Sequence, residues 1–218
     1  MQTNFDYLFS IANPAILPSA IINRPFQLAV NYHDAPLPKY AGSYATSWAI
    51  LNNESQHGIS WHIIDDRVDA GDLLKQKLFP ITPNETTYSL NIKCFEAAVS
   101  SFQELLYEIQ AGRVKRKAQD ISYRTFYYKH QKPLYGGFIN WNLPSEEINQ
   151  VCRALTFGSY TNGFATTKLL IADKLYIPVE MHSEDNNQKV GRVGEILFLN
   201  SQYIKIAANV GSLVISST

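Results

Sequence analysis

Two cysteines in 218 residues are too few for a disulfide framework or a zinc site. Cys94 and Cys152 each sit on an apolar stripe, where a buried free thiol is expected. No Gly-x-Gly-x-x-Gly and no phosphate-cradling Gly-Lys-Ser run is present, so nucleotide binding has no support. Gly-x-Ser-x-Gly is missing too, which takes Ser43 and Ser47 out of a nucleophile-elbow context. An excess of one charge is also lacking: Lys plus Arg and Asp plus Glu number 19 each. A neutral balance argues against nucleic acid as the main partner, because phosphate binding wants a basic surface. The local basic cluster of Arg113, Lys115, Arg116 and Lys117 follows an amphipathic helix and reads as a solvated linker. No apolar run is long enough to span a bilayer, and the N-terminus lacks the charged start and long apolar core of a signal peptide. No membrane partner and a cytoplasmic location are therefore expected.

What is present is a globular composition, 45% hydrophobic and 17% charged, long enough for one large domain or two small ones. Phe5 to Ala12 reads as a short buried strand of a parallel sheet, broken by Asn13-Pro14. Ile16 to Ile22 reads as a short helix or turn, and Phe26 to Tyr32 as a second buried strand. Asp34 to Gly42, with two prolines and a glycine, is expected to be an ordered loop. Ser43 to Asn52 reads as a helix with Ala45, Trp48, Ala49 and Leu51 inward. Gly58 to Ile64 and Leu73 to Phe79 read as strands around the polar loop Asp65–Gly71. Thr86 to Ala111 is the longest helix, with Leu90, Cys94, Ala97, Phe102, Leu105, Leu106 and Ile109 on one side. Gly112 ends it. Beyond a connector, Ser145 at the cap and Glu146 and Glu147 in the first turn start a helix to about Leu155. Alternating runs Lys168–Ala172, Lys174–Val179, Gly194–Leu199, Tyr203–Ala207 and Ser212–Ser216 suggest a small antiparallel barrel or sheet.

The chemistry concentrates at Asn31, His33 and Asp69. Asn31 and His33 share one face of a strand end, where ligands of open α/β sheets bind. Asn31 offers an N–H donor for a developing oxyanion, and a histidine can donate to that oxygen or shuttle a proton. Asp65, Asp66, Asp69 and Asp72 crowd one loop. A calcium or magnesium site there is disfavoured because the Asp-x-Asp-x-Asp-Gly pattern is absent. The turn Asp69-Ala70-Gly71 aims Asp69 back at the sheet end, where a carboxylate would fix the His33 tautomer. His62, beside Trp61 in mid-strand, reads as a satisfied core histidine or a support behind the site. His57 reads as a surface turn residue.

Asn31-Tyr32-His33-Asp34-Ala35-Pro36-Leu37-Pro38-Lys39-Tyr40-Ala41-Gly42 resembles the Asn-x-His-x-Ser-Leu-Leu-Pro-x-x-x-Gly signature of the 10-formyltetrahydrofolate-dependent formyltransferases. His57-Gly58-Ile59-Ser60-Trp61-His62 and Val68-Asp69-Ala70-Gly71-Asp72-Leu73-Leu74 resemble that family's next strand and its Asp-x-Gly-Asp loop. Val151-Cys152-Arg153-Ala154-Leu155 and the turn after Tyr160 resemble the start of its C-terminal module. The departures are Asp34-Ala35-Pro36 in the signature and a start at one of the family's later strands.

The resemblance implies the C-terminal part of a Rossmann-like α/β sheet followed by a small OB-like β-barrel. The implied division is an N-terminally truncated catalytic domain over 1–112, a linker over 113–132 and the OB-like domain over 133–218. It implies formyl transfer from 10-formyltetrahydrofolate to a primary amine without a metal. Asn31 and His33 would stabilise the oxyanion and Asp69 would hold His33. The pterin would lie between Asn13, Pro14, Ala15 and Ile16 on one side and Ile64, Asp65 and Asp66 on the other. The details look most similar to formylation domains of peptide synthetases, so the expected acceptor is an aminoacyl group on a peptidyl carrier protein. Methionyl-tRNA and an amino sugar are the alternatives, tRNA being the one nucleic acid in view. A non-catalytic folate- or carrier-binding fragment, pairing with another chain through an open sheet edge, is the competing expectation.

Overall fold

The computed structural model describes residues 4–184 and 187–216, which form two compact units. The first comprises residues 1–49, 54–83 and 89–129; the second comprises 50–53, 84–88 and 130–218.

In the first unit β1 (Tyr7–Ser10) is followed by α1 (Ser19–Ile22), β2 (Leu28–His33) and the short β3 (Ala41–Gly42). Then come α2 (Ala45–Leu51), β4 (Gln56–Ile63), β5 (Leu73–Pro80), α3 (Thr87–Gln110) and β6 (Phe126–Tyr127). The main sheet has the order β1-β2-β4-β5. β1 and β2 are parallel, as the apolar run at Phe5 to Ala12 suggests, but β4 and β5 are antiparallel to their neighbours, so the sheet is mixed.

Alternation divides the sheet into two faces. Val30 and Tyr32 of β2 and Ile59 and Trp61 of β4 pack with Cys94, Ala98 and Leu105 of α3. Asn31, His33, Ser60 and His62 are the intervening residues and form the other face. The helical stripe differs from expectation at one position: Leu106 is exposed, and Ala98 takes a place in the core. At 3.6 residues per turn, Leu106 points about 100° away from Leu105 and so lies outside the stripe that Leu90, Cys94 and Leu105 define.

The stretch expected to be a solvated linker is largely packed on the first unit. Leu73 and Lys117 exchange backbone hydrogen bonds of 2.8 and 2.9 Å, Val114 packs against the core, and β6 pairs in parallel with β3. Few apolar side chains are needed, because backbone pairing and polar side chains hold the stretch. Stacking of Trp48 on Tyr127, with ring centroids 4.5 Å apart, adds to that hold.

The second unit contains α4 (Ser145–Ala154), β7 (Leu169–Ile171), β8 (Lys174–Tyr176), β9 (Glu180–Glu184), β10 (Ile196–Leu199), β11 (Tyr203–Ala207) and β12 (Ser212–Ser216). Pro144, not Ser145, occupies the N-cap, and its side chain makes no capping bond. Ile148 and Cys152 of α4 form a core with Ala208 and Leu213. The antiparallel order is β10-β11-β12-β9, and β7 pairs only with β8 among the described residues. Among the described residues the hydrogen bonding there gives a four-stranded antiparallel sheet plus a hairpin. Strand β9 was missing from the expected set, because Glu180, His182 and Ser183 hide its alternation. Both cysteines are buried and neither is in a disulfide, and burial pushes the Cys152 thiol up to about 12.

Gly71 has no room for a side chain: a Cβ there would lie 2.0 Å from the Ile63 carbonyl oxygen. Gly71→Ala is expected to cost at least about 2 kcal/mol of stability, the scale of forced overpacking, read as a lower denaturant midpoint.

Candidate active site

Asn31 is paired in register with Ser10 on one side and His62 on the other. That row brings three polar side chains to the face away from α3. His33, two residues on, shares the face.

The loop after β2 is held by its own carbonyls. His57 Nε2 donates to Asp34 O at 2.8 Å, Ser60 Oγ to Ala35 O at 2.7 Å, and Gln76 Nε2 to Leu37 O at 2.9 Å. His33 Nε2 lies 2.8 Å from Tyr40 O, and a carbonyl can only accept, so Nε2 carries the proton. His57 is therefore no surface residue. It is fully buried, and burial drives its pKa down, which keeps it a neutral donor to the loop.

Asp69 reaches the site from the opposite direction. Its backbone has φ 53, a left-handed conformation that Asp tolerates better than most residues. Arg124 donates to the carbonyls of Val68 and Asp69, and Gln119 to those of Asp69 and Gly71, which fixes the turn. The buried carboxylate accepts from Gly42 N at 2.9 Å. Its Oδ2 lies 3.7 Å from His33 Nδ1 and its Oδ1 3.4 Å from His62 Nε2.

Asn31, His33 and Asp69 stand in one cluster, Asn31 joining it through His62, but two expected details differ. The His33 tautomer is set by the Tyr40 carbonyl, not by Asp69, which stands beyond hydrogen-bond distance of Nδ1. Asp69 is nearer to His62, which lies between it and Asn31: Asn31 Nδ2 is 3.2 Å from His62 Nε2. His62 was undervalued because its place beside Trp61 hides that it faces Asn31 across the strands. The cross-strand register is the signal that finds it.

The residues expected to bracket a pterin are placed less tightly. The 11–16 loop leaves β1 beside Asn31, and the 64–66 segment leaves β4 beside Val30. Asn13 Oδ1 accepts from Ala15 N at 3.1 Å, closing a turn that leaves Ile16 exposed. Ile64 N donates to Ala29 O at 2.9 Å, while Asp65 and Asp66 are exposed. Among the described residues no group of three or more His, Cys, Asp or Glu is arranged to hold a metal ion. No helix there is long and apolar enough to cross a membrane.

A mixed α/β unit thus presents an amide, two imidazoles and a carboxylate at one strand end. The family model described as "Formyl transferase" matches residues 2–106. A methionyl-tRNA formyltransferase of Trichlorobacter lovleyi is 31% identical over 210 residues, covering 96% of this chain and 63% of the relative. One from Geobacter sulfurreducens is 29% identical over 212 residues, with the same two shares. The chain therefore spans less than two thirds of the length of the curated relatives it matches. Among solved structures, the N-formyltransferase from Helicobacter canadensis, in complex with folinic acid and dTDP-3-aminofucose, is similar with a TM-score of 0.75 and 22% identity. That likeness covers 96% of this chain and 72% of the other. HypX from Aquifex aeolicus, in complex with tetrahydrofolic acid, gives a TM-score of 0.76 and 18% identity, covering 96% of this chain and 35% of HypX. The chain is thus similar to the formyltransferase family through residues 2–106, and to its methionyl-tRNA members over 96% of its length.

Burial alone would raise the Asp69 pKa, but His62, His33 and the Gly42 N–H outweigh it and bring the carboxyl to about 2 from an ordinary 3.8. The folded value is the lower one, so the stabilisation is complete above the ordinary value and lost as pH falls through the folded value. A shift of that size corresponds to about 2 kcal/mol. Asp69→Asn is expected to lose about that much near neutral pH. The difference from wild type should shrink as pH falls from about 4 to about 2, read by denaturant unfolding at each pH.

Proposed function

We propose that this chain transfers a formyl group from 10-formyltetrahydrofolate to a primary amine. The convergence of Asn31, His33 and Asp69 on one cluster carries this reading, and the match of residues 2–106 to the formyltransferase family model supports it. The amine nitrogen attacks the formyl carbon, forming the new C–N bond and a tetrahedral oxyanion. Collapse of that intermediate breaks the bond to N10, and the proton lost by the amine ends on N10 of tetrahydrofolate. Asn31 donates an N–H to the oxyanion. His33 has its Nε2–H committed to Tyr40 O, so it exchanges a proton only through Nδ1. Asp69 and Asp34 face Nδ1 at 3.7 and 3.8 Å and stabilise the imidazolium that forms there. No step requires a metal.

The donor would enter between the Asn13–Ile16 turn and the Ile64–Asp66 segment. Exposed Ile16 offers an apolar wall there, and backbone groups offer polar partners to a flat heteroaromatic ring. For the acceptor, the curated relatives point to methionyl-tRNA and the Helicobacter canadensis structure to an amino sugar. The motif details point to an aminoacyl group on a carrier protein. The neutral charge of the chain weighs against tRNA. A second reading, a folate- or carrier-binding module without turnover, is favoured by one observation. Strand β1 pairs with β2 alone among the described residues, leaving an edge that a further chain could extend.

The test incubates the chain with 10-formyltetrahydrofolate and, in turn, an aminoacyl carrier protein, methionyl-tRNA and a nucleotide-linked amino sugar. Mass spectrometry then reads the formylated amine. Formylation of one acceptor is expected, and folate binding without any product would favour the module reading. Asn31→Ala is expected to lower kcat by about 10²–10³-fold, as loss of an oxyanion donor does elsewhere.

A further inference from the structure

His62 is 2% exposed and touches both Asn31 and Asp69, yet the proposed reaction assigns it no step. Its Nδ1 lies 2.8 Å from Ile63 O. A carbonyl only accepts, so Nδ1 carries the proton and the neutral ring presents a lone pair at Nε2. The atom of Asn31 facing that lone pair must then be a donor, and Nδ2 stands there at 3.2 Å. The register of β2 and β4 holds the two side chains opposite each other. One N–H of Asn31 is consequently spent on His62, which sets the rotation of the amide and the direction of its other N–H.

We propose that His62 is a positioning residue: neutral, it aims the Asn31 amide by accepting from Nδ2; protonated, it releases Asn31 and turns to Asp69. A proton on Nε2 would set two donors against each other at the Asn31 contact. The same proton would find an acceptor in Asp69 Oδ1, 3.4 Å away. The ionisable groups around the ring are Asp69 and, across Asp69, His33 with Asp34 beside it. On β5 its register partner is the apolar Leu73. The role of the aimed N–H rests on the formyl-transfer reading; the hold of His62 on Asn31 does not.

Two measurements on the whole chain separate these. The first is NMR of the imidazole nitrogens and of the Asn31 side-chain NH2 across a pH series, with no substrate present. The neutral form of His62 is expected to carry its proton on Nδ1, with the Asn31 NH2 signals differing between the neutral and protonated forms of the ring. An Nε2–H tautomer, or an Asn31 signal indifferent to that titration, overturns the proposal.

The second is turnover with 10-formyltetrahydrofolate and the acceptor that wild type formylates, using variants whose folding is checked by thermal melting. His62→Asn can keep a donor to Ile63 O, but its shorter side chain puts no acceptor at the Nε2 position that faces Asn31. It should lose kcat by about tenfold to a hundredfold, the scale of a misplaced reacting group, with KM for the folate nearly unchanged. His62→Gln puts a non-titrating acceptor near the Nε2 position. It should restore most of kcat and shed one proton's worth of slope from the acid limb of the pH profile. A His62→Asn variant as fast as wild type overturns the proposal. Wild type that formylates none of the three acceptors overturns the formyl-transfer reading instead, and the NMR result still decides the His62–Asn31 coupling.

Discussion

The carboxylate of Asp69, buried at the meeting point of three segments, is the constraint on which the first unit depends. A carboxylate out of water needs hydrogen bonds and opposite charge around it. Here Gly42 of β3 brings a backbone N–H, while His33 and His62, on adjacent strands, turn toward it the imidazole nitrogens that supply opposite charge when protonated. Each of these placements constrains the chain elsewhere. Gly42 has φ 96, and a Cβ there would lie 2.2 Å from the Tyr127 carbonyl oxygen. The β3–β6 pairing and the amide that holds Asp69 therefore share one glycine. On the other side, the left-handed backbone at Asp69 persists because Arg124 and Gln119 hold the carbonyls around it. Residues far apart in sequence are thereby locked around a single charge.

A second pattern runs through the site: the histidines spend one nitrogen on backbone carbonyls. His33 uses Tyr40 O, His62 uses Ile63 O and His57 uses Asp34 O. Each bond fixes a tautomer and anchors a turn at the same time. For His33 and His62 the remaining nitrogen faces the same carboxylate. The site is thus organised around the carboxylate more than around the histidine–carboxylate pair that motif matching brings forward.

The sheet separates stability from chemistry by alternation. Odd positions of β4 such as Ile59 and Trp61 bury against α3, and even positions such as Ser60 and His62 build the site and its loop. β5 keeps this division despite a bulge opposite Trp61 and His62, where Leu74 joins the α3 core and Leu73 packs with Leu37 and Ala41. A one-residue slip of β4 against β2 would bury His62 under α3 and expose Trp61, so register is held by the whole core.

Much of the frame was legible in the chain. Apolar runs and the long stripe of α3 locate the first unit's elements, and Asn31, His33 and Asp69 stand out through their motifs. The second unit was less legible, since β9 is too polar for its alternation to show and an alternating pattern does not say whether a sheet closes. The linker expected over 113–132 looked unstructured because its contacts are backbone pairing and side-chain bonds to distant carbonyls, which leave no periodic trace. The sequence by itself determined which residue types were available at the strand end, because identity and local period are written in order along the chain. Only the tertiary structure decided that Tyr40, not Asp69, sets the His33 tautomer, and that His62 stands between Asn31 and Asp69. Those are distances between groups brought together by cross-strand register and loop closure, and neither is a property of any local segment.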